Sequence, residues 1–326
     1  MFRNDFDISD RVKTTDPIDV NREINQIFLE LYSDASTTVL DRAFGDADLI
    51  YRGEMPGFHA CDTAYHDIQH VLDVTLAMAR LIDGYERSRV GTDSIGRDLF
   101  ELGVITALFH DVGYIRRESE TQTQNGAEFT MIHVSRGAQF LKEYMPRVGM
   151  PLMADIAADL VHFTGYERPV KTIQMPSLTY RLLGNLLGSA DIIAQMADRC
   201  YLEKCRDRLY PEFVTGGIAT RKTADGKIAV IFASAEDLLM KTPGFYAGSQ
   251  RRLKEDLGNG MIYAEKHFGG QNLYTEGTEK NMRFAAHVRD EQDINLLKRT
   301  PPDTLPEASL QASASRQESS PSSNVK

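Results

Sequence analysis

Five of the chain's eight histidines fall between positions 66 and 162, in helix-patterned sequence rather than in polar loops. His110-Asp111 closes the apolar run Leu102 to Phe109, and Gly113 follows as a helix-stop residue. An imidazole nitrogen and a carboxylate oxygen at the end of a buried helix can turn toward one point, a donor pair suited to Zn, Mn, Fe or Mg, with hard oxygens favouring Mg and Mn. Taken alone, the dipeptide reads equally as a core imidazole beside a helix-end aspartate. Asp191 lies in step with Leu183, Leu187 and Ala194 on what is otherwise a buried stripe. A carboxylate there needs a partner, either a base such as Arg199 or a metal, because stripping water from it costs several kcal/mol or more. His66 and His70 form H-x-x-x-H, which in a helix puts both on one face, one turn apart. His133 and His162 sit in two further helical segments, where a lone histidine serves as ligand or as satisfied core residue.

The order His70, His110-Asp111, Asp191 resembles the His, His-Asp, Asp signature of the HD superfamily of metal-dependent phosphohydrolases, over roughly residues 60 to 215. Two local matches are similar to class I cyclic nucleotide phosphodiesterases. Ala64-Tyr65-His66-Asp67-Ile68-Gln69-His70-Val71-Leu72-Asp73-Val74 resembles their Y-H-N-x-x-H-A-x-D-V segment, and Ser189-Ala190-Asp191-Ile192 followed by Pro211-Glu212-Phe213 resembles their A-D-L followed by E-E-F. The resemblance implies an all-α, HD/PDEase-like helical bundle. It implies that His70, His110, Asp111 and Asp191 bind a first divalent ion, that Asp111 bridges to a second, and that His66 is the general acid. His133 and His162 fall where other HD proteins place ligands for the second ion. The sequence departs from the phosphodiesterase pattern at Tyr114, which replaces a second histidine after H-D, and at Asp67, which replaces Asn; the purine-gripping Q-x-x-F is missing. Nor does His162-Phe163-Thr164-Gly165-Tyr166 supply the double histidine and G-Y-P of cyclic dinucleotide hydrolases.

The implied chemistry is phosphoester hydrolysis, of a 3',5'-cyclic nucleotide first and a nucleotide monoester second. Two divalent ions (Mg, Mn, Fe or Zn) would activate water near neutral pH and bind phosphoryl oxygens. A protonated His66 would give its proton to the leaving oxygen, its ring held by Asp67 or Asp73. Arg116, Arg117 and Arg136 stand close in sequence to the expected ligands and could offset phosphate charge, although Glu118 and Glu120 offer them surface partners. Two competing readings remain: a zinc-protease-like H-x-x-x-H helix with Asp67 in place of Glu, and a catalytically silent HD module acting as regulator or scaffold.

These residues need helices to position them, and apolar residues at three- and four-residue steps predict helix over 24–40, 66–81, 97–111, 132–144, 151–164, 178–209, 235–267 with a break near Pro243, and 280–297. An Asp225-Gly226 pair between β-prone runs predicts a small inserted hairpin over 218–232. We expect a flexible N-terminus over 1–20, one helical catalytic domain over 21–299, and a disordered Pro/Ser-rich tail over 300–326, which has too little apolar surface to offset its ordering entropy. A formal charge of -10 argues against a nucleic-acid or anionic-membrane surface and leaves a small phosphorylated substrate as the expected partner, with self-association open. The apolar run 102–109 is far short of the ~20 residues of a membrane span. Three irregularly spaced cysteines and a leader without a basic, apolar signal pattern point to the cytoplasm.

Overall fold

The computed structural model describes residues 3–307, except 224, together with 309. The fold is all-α apart from one small antiparallel hairpin. The helices are α1 (Pro17–Leu31), α2 (Thr38–Arg52), α3 (Ile68–Ser88), α4 (Arg97–Leu108), α5 (His133–Tyr144), α6 (Ala154–Leu160), α7 (Leu178–Ala197), α8 (Tyr201–Lys204), α9 (Tyr210–Thr215), α10 (Ala235–Glu255), α11 (Tyr263–His267) and α12 (Leu273–Glu291). The hairpin pairs β1 (Thr220–Lys222) with β2 (Ile228–Val230), in the register Arg221 opposite Ala229.

Helix α3 is the axis, packed by α1, α4, α7 and α11. All of its residues from Gln69 to Tyr85 except the half-buried Asp73 are buried, the pattern of a helix covered on all sides rather than on one stripe. Close approach by α11 requires Gly84, where a Cβ would stand 1.8 Å from the Tyr263 carbonyl oxygen. Asp67 caps the N-terminus of α3, its Oδ1 accepting the His70 N–H at 2.9 Å. Helix α7 starts at Ser177, whose side chain accepts from the Tyr180 N–H, and α3 and α4 both lie against it. The π-helical turn Cys205–Leu209 joins α8 to α9.

Several expectations change. The helical pattern over 24–40 is two helices, because Tyr32 and the polar stretch Asp34 to Thr37 end α1 before α2 begins. The pattern over 178–209 breaks at Asp198, whose backbone leaves the helical region and whose side chain accepts the Cys200 N–H at 2.8 Å. Pro243 does not break α10: it removes one backbone donor, and the helix runs through.

The N-terminus is also not a flexible leader. Arg80, buried in α3, donates to Asp7 at 2.7 Å, and Asp7 further accepts from the N–H groups of Ser9, Arg11 and Val12. Burial alone would raise the Asp7 carboxyl, but the Arg80 guanidinium and these donors hold it well below the usual carboxylate range. Arg199 donates to the carbonyls of Phe6, Asp7 and Ile8. At the other end, Arg208 donates to the carbonyls of Pro301 and Pro302, and Thr304 donates to Asp67. The first residues of the expected disordered tail therefore dock on the domain; residues 310–326 lie outside the described ones. Among the described residues Cys61, Cys200 and Cys205 are buried free thiols, and no helix is long and apolar enough to cross a membrane.

Candidate metal centre

The N-terminal turn of α3, the end of α4 and the middle of α7 converge on one point. His70 Nε2 lies 3.2 Å from Asp111 Oδ2 and 3.8 Å from Asp191 Oδ1. His110 Nε2 lies 3.2 Å from Asp111 Oδ2 and 3.9 Å from Asp191 Oδ1. Ligand atoms of His70, His110 and Asp191 all fall within 4.8 Å of one another. Donors held about 2.0–2.2 Å from a common ion stand roughly 3–4 Å apart, so this spacing fits one divalent cation. His110 is fixed by its Nδ1, which donates to the Ala107 carbonyl at 2.7 Å, so its Nε2 presents a lone pair. That nitrogen is buried without a hydrogen-bond partner, beside two carboxylates. A lone pair facing carboxylate oxygens is repelled unless a cation stands between them. Burial would lower the His110 pKa, yet Asp111 and Asp191 push it up to about 9, so the two carboxylates favour positive charge at this point.

Asp111 has a second face. Its Oδ1 lies 3.6 Å from His133 Nε2, and His133 donates through Nδ1 to the Thr130 carbonyl at 2.7 Å. Burial, only partly opposed by Asp111, holds His133 below the ordinary imidazole range and hence neutral, as a ligand must be. One carboxylate thus offers one oxygen to His70 and His110 and the other to His133. Gly113 makes this approach feasible, because a Cβ there would meet the His133 carbonyl oxygen at 1.8 Å.

His66 precedes α3 instead of lying on it, so the H-x-x-x-H pair is not a helical face and the protease-like geometry does not form. Its Nδ1 lies 2.6 Å from Glu212 Oε2, and the other Glu212 oxygen accepts the Tyr65 N–H. Burial would lower the His66 pKa, but the Glu212 carboxylate, with Asp111 and Asp191, raises it above the ordinary value. Neither Asp67 nor Asp73 holds this ring. Asp67 caps α3 and receives Arg208, and the charged groups facing Asp73 are Asp198, Lys204 and Asp7. Tyr114, at the departure from the phosphodiesterase pattern, stacks on both His66 and His133, with ring centroids 4.2 and 4.4 Å away, and the two histidine rings lie 6.3 Å from each other.

Four candidates are not brought to the centre. His162 is buried, and the charged groups around it are Arg168, Glu167 and Asp159; the turn Val161–Phe163 leaves Thr164 and Gly165, not His162, lining the cavity. Arg116 pairs with Asp62 at 2.9 Å, Arg117 with Glu143 at 3.3 Å, and Arg136 with Glu120 and the Gly113 and Ile115 carbonyls. None of these arginines lines the cavity: local carboxylates claim all three. Sequence reasoning gave no role to Gln195, one turn beyond Asp191, which donates to Asp191 Oδ1 at 3.3 Å and accepts from the Tyr65 hydroxyl at 3.0 Å. Its spacing of four from Asp191 was the available signal. Glu212 was visible only as a motif letter, because its partner His66 lies 146 residues away.

The centre opens into a cavity of about 400 Å³, whose wall away from His66, His70, Asp111 and His133 is formed by residues such as Ile192, Met196, Phe213, Phe232 and Leu238. No curated protein and no solved structure matches the chain. Residues 53–271 match the family model described as Npun_R2479-like, a span that includes every residue of the cluster as well as Glu212 and the hairpin. Because that match covers more than half of its length, the chain belongs to the Npun_R2479-like family.

Proposed function

We propose that this chain is a metal-dependent phosphoric ester hydrolase. The observation that carries the reading is the buried, unpartnered Nε2 of His110, clustered with His70 and Asp191 at the inner end of a cavity, with Asp111 Oδ2 3.2 Å from both imidazoles. His70, His110, Asp111 and Asp191 would hold one divalent ion, and Asp111 Oδ1 with His133 offers donors to a second. Bound there, such ions supply a nucleophile from water at neutral pH and neutralise phosphoryl oxygens. Among the described residues of the lining, Lys241 is already bonded to Asp237 and to the Ile231 carbonyl.

The remaining steps belong to the chain's own residues. Glu212 fixes His66 through Nδ1 and favours its protonated form, which leaves Nε2 to give a proton to the departing alcohol oxygen. Gln195 orients Asp191, and the Ala107 and Thr130 carbonyls fix the tautomers of His110 and His133. Tyr114 packs against the rings of both His66 and His133.

Purified protein, with its metals quantified, should hydrolyse at least one of bis(p-nitrophenyl) phosphate, p-nitrophenyl phosphate, a 3',5'-cyclic nucleotide or a nucleotide monophosphate when supplied with Mn, Mg, Fe or Zn. Asp111→Ala should abolish that turnover. Bound metal at one or two ions per chain with no hydrolysis of any ester would overturn the catalytic reading and leave a silent metal-binding module.

A further inference from the structure

Beyond the metal end, the wall of the cavity is mostly apolar. Ile192 and Met196, from the same helix as Asp191, continue the wall away from the centre, and Phe213, Phe232, Leu238 and Phe245 close it from α9, the hairpin segment and α10. Phe213 and Phe232 stack with centroids 5.6 Å apart. A sugar or nucleobase would need donors and acceptors here, yet the threonine, glutamate, glutamine and lysine side chains of the lining are already engaged, which leaves the exposed Tyr166 at the rim. Thr130, Thr164 and Thr242 donate their hydroxyls to the carbonyls of Ala127, Val161 and Leu238. Glu167 accepts from the Val134 and Ser135 N–H groups. Gln195 spends its carbonyl oxygen on Tyr65 and its amide on Asp191.

A site that hydrogen-bonds a polar ligand strongly prefers it because unpaired polar groups are costly, and an apolar wall makes the opposite choice for the same reason. A volume of about 400 Å³ is within the range of small-molecule pockets. We infer that the substrate is a phosphoric ester of an apolar alcohol, an alkyl chain or aryl group, with its phosphoryl end at the metal centre and its carbon body between α7, α10 and the hairpin. This rests on the hydrolase reading and assigns its substrate class. The oxygen of water bonds to phosphorus, the phosphorus–oxygen bond to the alcohol breaks, and the proton carried by His66 goes to the departing alkoxide. The products are the apolar alcohol and phosphate.

Alkylphosphonates test the assignment separately from turnover, because their carbon–phosphorus bond is not a substrate for ester hydrolysis. Calorimetric titration of the metal-loaded protein with methyl-, butyl- and octylphosphonate should show affinity rising up to about fourfold per added methylene until the cavity is filled. Octylphosphonate should bind more tightly than AMP or cyclic AMP. Phe245→Asp, at a half-exposed wall position, should flatten the chain-length dependence without loss of bound metal. Equal affinity across the series, tighter nucleotide binding, or a Phe245→Asp series as steep as wild type would each overturn the assignment. Failure of the hydrolase reading looks different: octylphosphonate would bind while octyl phosphate and p-nitrophenyl phosphate stayed intact with every metal.

Discussion

His66 and His70 are four residues apart and do different work. His70 faces Asp111 and Asp191 inside the helix, whereas His66 sits ahead of it and turns back to Glu212. The account therefore separates holding metal from moving a proton. His66→Ala should lower kcat about 10²- to 10⁴-fold with metal content unchanged, as read by elemental analysis beside steady-state kinetics. Parallel loss of metal would make His66 a ligand and contradict the assignment. His70, His110, Asp111 and Asp191 were legible as candidates because their types and order are unusual in apolar sequence. Glu212 and Tyr114 were not, since their roles depend on which ring each meets after folding. Arg116, Arg117 and Arg136 misled for the converse reason: nearness in sequence to a ligand says nothing about which carboxylate is nearest in space.

At the scale of elements, the first turn of α3 carries much of the site's precision. Asp67 caps the helix, receives Arg208, and is reached by Thr304 from the chain's far end. Asp67→Ala should cost about 1 kcal/mol for the cap alone, and more because Arg208 then loses its carboxylate. Urea unfolding measures this, and a loss below 0.5 kcal/mol would show that the cap does not hold the turn. Helix α3 could be read from apolar residues recurring at three- and four-residue steps, and the hairpin from Asp225-Gly226 between β-prone runs. Helix α2 was missed because Gly45, Asp46 and Asp48 dilute its apolar stripe, although Leu40, Phe44, Ala47 and Tyr51 are buried along one face.

At the scale of the whole molecule, both described ends of the chain are tied to the helical body by buried or half-buried polar contacts. Short-range pattern could not reveal them. Arg80 and Asp7 are each almost wholly buried, so Arg80→Ala leaves an unpaired carboxylate inside and should destabilise by about 3–5 kcal/mol in denaturant unfolding. An unchanged midpoint would mean that the N-terminal segment is not part of the folded unit. A second test concerns pH. Burial, then the charge of Asp98, pushes the Glu101 carboxyl up from 4.5 to about 7, against the opposing Arg97. A carboxyl raised on folding favours the fold below its unfolded pKa and loses that contribution as pH climbs through the folded value. Glu101→Gln should therefore raise Tm at pH 8 relative to wild type, with the gain shrinking to nothing near pH 4. A Tm difference independent of pH would show that Glu101 titrates normally.

The central claim is that the His70, His110, Asp111 and Asp191 cluster holds the metal on which phosphoester hydrolysis depends. It is tested most directly by stripping the protein with chelator, restoring Mn stepwise, and measuring p-nitrophenyl ester hydrolysis against metal bound per chain. The account predicts no turnover in stripped protein, a rate that rises with occupancy and saturates at one or two ions, and neither binding nor rate in His110→Ala. Turnover that survives stripping, or stoichiometric metal retained by His110→Ala with full rate, would contradict it.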